Sequence, residues 1–146
     1  METVSKTISK KPKIKLDFKE SKYATGRRKK SIAKIWVKKG TGKIYVNGRT
    51  MEDYFTSGSH KMQITRPFEI INQSTDYDVR CSVSGGGHTG QAGAMVHGIA
   101  KALILFDSDN RSALKTEKLN TRDSRSVERK KPGRRKARRS FQFSKR

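Results

Sequence analysis

The residues of this chain best suited to chemistry are cations, and they gather in two places. Residues 128–146 read ERKKPGRRKARRSFQFSKR, with Arg129, Lys130, Lys131, Arg134, Arg135, Lys136, Arg138, Arg139, Lys145 and Arg146 against a single carboxylate, Glu128. Residues 25–30 read TGRRKK and set Arg27, Arg28, Lys29 and Lys30 in succession beside a glycine. Guanidinium groups fork onto two phosphate oxygens and ammonium groups act as point charges, so both clusters suit the backbone of a polyanion. Phe141 and Phe143 interrupt the charge near the carboxyl end and offer flat faces on which unpaired bases can stack. For residues 25–30 the plain alternative is a solvated strand entrance, and the basic tail tips the balance toward phosphate.

A third segment, SGGGHTGQAGA at residues 84–94, carries Gly85, Gly86 and Gly87 ahead of an apolar run. Glycines let another backbone approach closely, and a helix start presents unpaired N–H groups to an anion. No Gly-Lys-Ser/Thr follows them, so this is not a phosphate-binding loop of the nucleotide-hydrolase kind, and the dinucleotide spacing is absent. Two readings stay open: a docking point for a phosphate backbone, or a tight strand–helix connection in which Gly93 and Gly98 permit close packing. His60, His88 and His97 lack the i, i+4 spacing of a helical metal pair and have no acidic cluster beside them, so hydrogen bonding or RNA contact is their expected role. Cys81, the only cysteine, excludes an intrachain disulfide or a multi-cysteine zinc site and reads as a buried thiol in a reducing compartment.

The elements that must hold these groups follow from periodicity. Residues 32–37 alternate Ala33, Ile35 and Val37 on one face, and residues 43–46 repeat the pattern with Ile44 and Val46. The Lys39-Gly40-Thr41-Gly42 link predicts an antiparallel hairpin between them. Asn47-Gly48 turns the chain out of the second strand, and Thr50 caps a short helix over residues 51–55. A helical stretch over residues 60–71 should be kinked or divided by Pro67. Residues 77–83 form a third strand with Tyr77, Val79, Cys81 and Val83 inward. The clearest helix spans residues 91–106, where Ala92, Met95, Val96, Ile99, Leu103 and Phe106 make one apolar stripe roughly 24 Å long. Ser108 or Asp109 starts a last helix over residues 110–117. Strands followed by helices in this order predict an α+β fold, a sheet with helices packed on one face.

A net charge of +22 on 146 residues repels itself unless a polyanion or counterions neutralise it. Residues 1–22 are lysine-rich with few large apolar groups and read as a basic arm. Residues 23–121 hold most of the apolar content, enough for one modest core. Residues 122–146 form the basic tail, which alone should be disordered and, extended, could reach about 60 Å. No apolar run approaches the roughly 18–20 residues of a membrane span, and the amino terminus has no signal-peptide apolar region. The arm contains no arginine and includes Glu2, Asp17 and Glu20, a poor match to a mitochondrial transit peptide.

Three blocks carry a resemblance: ATGRRKKSIAKIWVKKGTGKIYVNGR at 24–49, SGGGHTGQAGAMVHGIAKAL at 84–103 and TRDSRSVERKKPGRRKARRSFQFSKR at 121–146. Over residues 23–146 the chain resembles small-subunit ribosomal protein nine, in its bacterial and organellar form. That resemblance implies a structural, non-enzymatic protein of the small-subunit head, without cofactor or metal, in the ribosomes of a bacterial cytoplasm or an organelle matrix. It implies the ribosomal protein five second-domain fold, with a left-handed βαβ crossover and extended basic tails. Small-subunit rRNA would be held by Arg27, Arg28, Lys29, Lys30, Gly85, Gly86, Gly87, Arg129, Lys130, Lys131, Arg134, Arg135, Lys136, Arg138 and Arg139. Ser144, Lys145 and Arg146 would reach the peptidyl-site tRNA, and neighbouring head proteins would be further partners. Residues 1–22 fall outside the resemblance and are either an rRNA- or protein-contacting arm or a solubilising one. Two rivals stand beside this reading. A DNA-compacting, histone-like protein would share the charge, but no helix-turn-helix or β-ribbon arm is legible. A phosphotransferase would need a lysine-bearing phosphate loop and a carboxylate cluster, and neither is present.

Overall fold

The computed structural model describes residues 19–73 and 76–145. Most of the amino-terminal arm, and Arg146, lie outside the described residues. The chain first makes a hairpin of β1 (Lys22–Arg28) and β2 (Ser31–Lys39), then two short strands, β3 (Ile44–Val46) and β4 (Arg49–Thr50). Helices α1 (Met51–Tyr54) and α2 (Gly58–Ile70) follow, then β5 (Tyr77–Ser84), α3 (His88–Phe106) and α4 (Asn110–Thr116). The five strands form one sheet in the order β1-β2-β5-β3-β4. The fold is therefore of the mixed α+β class, with helices packed on a sheet.

The expected hairpin between residues 32–37 and 43–46 is not formed. β2 instead pairs antiparallel with β1 on one side and β5 on the other, while β3 lies parallel to β5 beyond it. The loop between β2 and β3 is held by β5 itself. Gly40 donates to the Asp76 carbonyl at 2.8 Å. The Asp78 carboxylate accepts from the backbone N–H groups of Thr41 at 2.8 Å and Lys43 at 2.9 Å. Burial opposes ionisation of Asp78, yet these hydrogen bonds hold its carboxyl below the usual range. Thus Gly40-Thr41-Gly42 steps across the end of β5 rather than folding β3 back onto β2. The segment at residues 25–30, expected to precede the first strand, is the end of β1 and its turn.

Alternation decides the inner face: Ala33, Ile35 and Val37 of β2 and Tyr77, Val79, Cys81 and Val83 of β5 are all buried, as their pattern predicts. Burial also raises the Cys81 thiol pKa, so it stays protonated. Thr50 caps α1, its hydroxyl accepting from the Asp53 N–H at 3.3 Å. Pro67 does not divide α2, because Ile64, Pro67 and Phe68 form one buried stripe whose packing offsets the lost backbone bond. α3 begins at His88, three residues before the expected start, with Gly87 at its N-cap. Ala92, Met95, Ile99 and Leu103 are buried as expected, and Val96 and Phe106 only half-buried. Gly90, Ala94 and Gly98 add a second, small-residue flank to the buried side of α3.

That flank seats the helix directly on β1. A Cβ at Gly26 would lie 1.9 Å from the Ala94 carbonyl oxygen and 2.5 Å from the Gly98 nitrogen. Backbone meets backbone here, so the position tolerates glycine alone.

Candidate nucleic-acid interface

The two central motifs meet at one corner of the molecule. Arg28 pairs with Ser31 across a two-residue turn, Lys29-Lys30, in which Lys29 takes a left-handed φ of 52°. Against this turn lies the glycine loop, with Gly85 at φ 72° and Gly86 at φ 61°. A Cβ on Gly85 would come within 2.5 Å of the Lys30 carbonyl oxygen, and one on Gly86 within 2.2 Å of the Ser31 hydroxyl. Ser31, buried to 1% exposure, donates to the Gly85 carbonyl at 3.0 Å, and the Gln91 side-chain amide donates to the same oxygen at 3.2 Å. The packing reading of the glycines therefore holds for Gly85 and Gly86. Gly87 has open space around its Cβ position and leads into the α3 amino terminus.

The result is a protruding cationic corner. Arg27, Lys29 and Lys30 are exposed beside the exposed loop residues Gly85, Gly86 and Gly87. Arg28 is half-buried and lies over Gly93, where a Cβ would strike the Arg28 side chain. Arg28 also binds Asp123 at 3.1 Å, and the Arg125 guanidinium binds the same carboxylate at 2.9–3.3 Å. The Arg125 side chain and backbone N–H, with Arg28 nearby, hold the Asp123 carboxyl far below the usual carboxylate range. A carboxylate at residue 123 thus ties the root of the tail to the hairpin turn.

Next to this tie, a cleft of about 610 Å³ runs between β1, α2, α3 and the tail root. Arg27, Arg28, Arg66, Lys118, Arg122 and Arg125 line it against Glu117 and Asp123, with Arg66 paired to Glu117. His97 lies on its wall, its Nδ1 accepting the Arg27 backbone N–H at 3.3 Å. Burial, then the charges of Lys101 and Arg122, lower its pKa, which keeps the imidazole neutral. His97 is thus a structural acceptor. His60 faces the Thr89 hydroxyl at 3.3 Å, and His88 packs edge-on to the rings of Tyr54 and Phe55. Among the described residues no group of three or more His, Cys, Asp or Glu could hold a metal ion.

The tail cations Arg129, Lys130, Lys131, Arg134, Arg135, Lys136, Arg138 and Arg139 are all exposed, as are Ser144 and Lys145. They do not join the corner; they form a structure of their own. Glu128 accepts two bonds from the Arg138 guanidinium at 2.9 and 3.0 Å, and the Arg135 N–H donates to the Arg139 carbonyl at 2.8 Å. Gly133, at φ 68°, allows the reversal, and the Arg135 guanidinium sits 5.6 Å from the Phe141 ring centroid. Residues 121–145 form no helix or strand; the segment is an exposed, looped strap whose one carboxylate meets a guanidinium ten residues on. Phe141 is occupied by Arg135 here, while Phe143 is fully exposed.

Arg66, Lys118, Arg122 and Arg125 escaped the sequence reading as site residues, whereas His97 was expected to hydrogen-bond and does so here. These four cations are scattered between residues 66 and 125, and only the α2–α3–β1 packing gathers them. The basic run at 121–125 was the available signal.

A compact α+β body that presents a cationic corner and a basic strap has the surface charge of a polyanion-directed protein. Residues 26–146 match the family model described as Ribosomal protein S9/S16, and the chain belongs to that family. Members are ribosomal proteins of the small subunit, structural rather than enzymatic. The match runs from Gly26 in β1 through the strap to the last residue. No helix among the described residues is long and apolar enough to cross a membrane.

Proposed function

We propose that this chain is a structural constituent of the small-subunit head, that it binds small-subunit rRNA, and that its last residues contact the peptidyl-site tRNA. The observation that carries this is the coincidence of the family match with the strap: residues 129–139 expose eight cations in a segment that belongs to the family's shared length. Arg129, Lys130, Lys131, Arg134, Arg135, Lys136, Arg138 and Arg139 are the principal rRNA-binding group. Arg27, Arg28, Lys29 and Lys30 form a second one, with Gly85, Gly86 and Gly87 giving the phosphate backbone room to approach. Ser144, Lys145 and Arg146 face tRNA. In this reading the crossover from β3 through α2 to β5 is the left-handed one of the ribosomal protein five second-domain fold. Neighbouring head proteins are the other partners, in the ribosomes of a bacterial cytoplasm or an organelle matrix.

The mechanism is electrostatic and needs no reacting group. Each cation seated on a phosphate releases condensed counterions, so affinity falls with salt at a slope of about 0.7 to 0.9 per contact. The Glu128–Arg138 pair is exposed and so is cheaply exchanged for a phosphate. Opening the strap frees Phe141 from Arg135 for a base or ribose. Contacts to backbone and shape, not to base edges, suit a site that must accept many tRNAs.

Ending the chain at Val127 tests the anchoring role. The truncated protein should fold yet enter reconstituted small subunits poorly, because eight phosphate-seeking side chains are gone. Subunits that sediment with a full complement of the truncated protein would refute it.

A further inference from the structure

The cleft between β1, α2, α3 and the tail root brings Lys118 and Arg122, which belong to neither the corner nor the strap, to one concave surface with Arg27. Its two carboxylates are already engaged, Glu117 by Arg66, and Asp123 by Arg28 and Arg125. These pairs join α2 to the end of α4 and the tail root to the β1–β2 turn, so they set the walls of the cleft. Among the described residues no other carboxylate lines it, and Arg27, Lys118 and Arg122 face it without an acidic partner. Lys118 sits at φ 58° just past α4, where its N–H and that of Leu119 return to the Lys115 and Leu114 carbonyls. Glycine is the usual residue at such a helix end. A lysine there brings a cation to the cleft wall at a position where the backbone alone favours glycine.

Gly93, Val96 and Leu119 add small and apolar wall between these cations. At about 610 Å³ the cleft falls within the roughly 300–1,000 Å³ of sites for small organic ligands, room for a nucleotide unit and not only a bare ion. An acidic peptide would answer the same charge, but its common entry, adding a strand to a sheet edge, is closed here. The outer edge of β1 is covered by α3: the Arg27 N–H donates to His97 Nδ1 at 3.3 Å, and the Thr25 carbonyl accepts from Lys101 Nζ at 3.2 Å. A phosphate backbone needs no such edge, because side-chain cations alone can hold its oxygens. We propose that this cleft seats the sugar–phosphate backbone of rRNA, with Arg27, Lys118 and Arg122 on its phosphate oxygens. This contact rests on the reading of the chain as an rRNA binder and is a third one beside the corner and the strap.

His97 lies on the cleft wall, its ring held by Arg27 and the Asn120 backbone, so its imidazole NMR signal reports on the cleft. The full-length protein is titrated at matched salt with a labelled short RNA hairpin, with inorganic phosphate and with polyglutamate. Label anisotropy and the His97 signal are read together. The hairpin should shift the His97 signal saturably. The double variant Lys118→Asn, Arg122→Gln keeps at 118 a residue suited to left-handed backbone. With an unchanged far-UV spectrum, it should bind the hairpin with a salt slope shallower by about 1.4–1.8, the share of two phosphate contacts, and lose most of the RNA-induced His97 shift. The control variant Arg49→Gln, Arg111→Gln removes two exposed cations outside the cleft and should keep the parent slope. An anisotropy rise with His97 unmoved, or equal slope losses in the two double variants, overturns the cleft contact and leaves rRNA binding by the corner and strap standing. Equal His97 shifts from polyglutamate, or from inorganic phosphate at the same phosphate concentration, assign the cleft to an acidic protein segment or a free ion and likewise overturn it. No anisotropy rise with the hairpin overturns the RNA-binding reading itself.

Discussion

Gly26→Ala probes the contact on which the whole corner depends. The added methyl would sit 1.9 Å from the Ala94 carbonyl oxygen and 2.5 Å from the Gly98 nitrogen. Ordinary contact begins near 3.4 Å, so β1 and α3 must separate by roughly 1.5 Å, and neither partner is a side chain that can swing aside. Overpacking of this kind costs typically 1–3 kcal/mol, and a backbone-on-backbone clash belongs at the upper end, about 3 kcal/mol. The same substitution at Gly58 is an internal control. Nothing lies within 4 Å of its Cβ position, and it opens α2 in ordinary helical backbone. There alanine should stabilise by about 0.4–1 kcal/mol through the unfolded chain. Urea unfolding followed by far-UV circular dichroism measures both. With a slope of about 1–3 kcal/mol per molar, Gly26→Ala should lower the midpoint by about 1–3 M. A Gly26→Ala protein within about 0.5 kcal/mol of the parent would refute the close α3–β1 seating.

Two further substitutions separate local supports of the same fold. Asn47, at φ 51°, clamps the β3–β4 turn to β5: its Oδ1 accepts from the Val83 N–H at 2.8 Å and its Nδ2 donates to the Val83 carbonyl at 3.0 Å. Asn47→Ala loses both bonds and a residue suited to that backbone, and should cost about 2 kcal/mol in the same urea assay. His97 has a folded pKa below its ordinary value, so the unfolded chain takes up its proton first as pH falls. The stability from neutral His97 should be fully present above about pH 6.5 and be lost as pH drops toward the lower folded value. Comparing urea midpoints at pH 5 and pH 7 checks this, and His97→Gln should remove that part of the slope.

Sequence pattern located most elements because alternation and the 3.6-residue period are local properties. β2, β5 and the buried stripe of α3 were legible for that reason, as was the Thr50 cap. Pairing was not. Whether Gly40-Thr41-Gly42 closes a hairpin or crosses a strand depends on Asp78, 36 residues downstream of Gly42, whose carboxylate gathers that loop's N–H groups. β1 was obscured because Lys22, Tyr23, Arg27 and Arg28 place polar or exposed groups around its two small inward residues, Ala24 and Gly26. For the site, composition revealed the cationic segments but not their neighbours. The approach of Gly85 and Gly86 to the Lys29-Lys30 turn spans more than 50 residues, and the Arg28–Asp123 tie spans 95. Such contacts exist only once α3 is seated on β1.

The tRNA contact is tested most directly in small subunits reconstituted with a chain ending at Phe143. Binding of tRNA to the peptidyl site is measured against subunits carrying the full chain, at matched protein content. Removing Ser144, Lys145 and Arg146 should leave assembly intact and weaken tRNA binding, with the difference shrinking as salt rises, because mobile charge supplies the contact. Equal affinity at low salt, in subunits that contain the shortened protein, would contradict it.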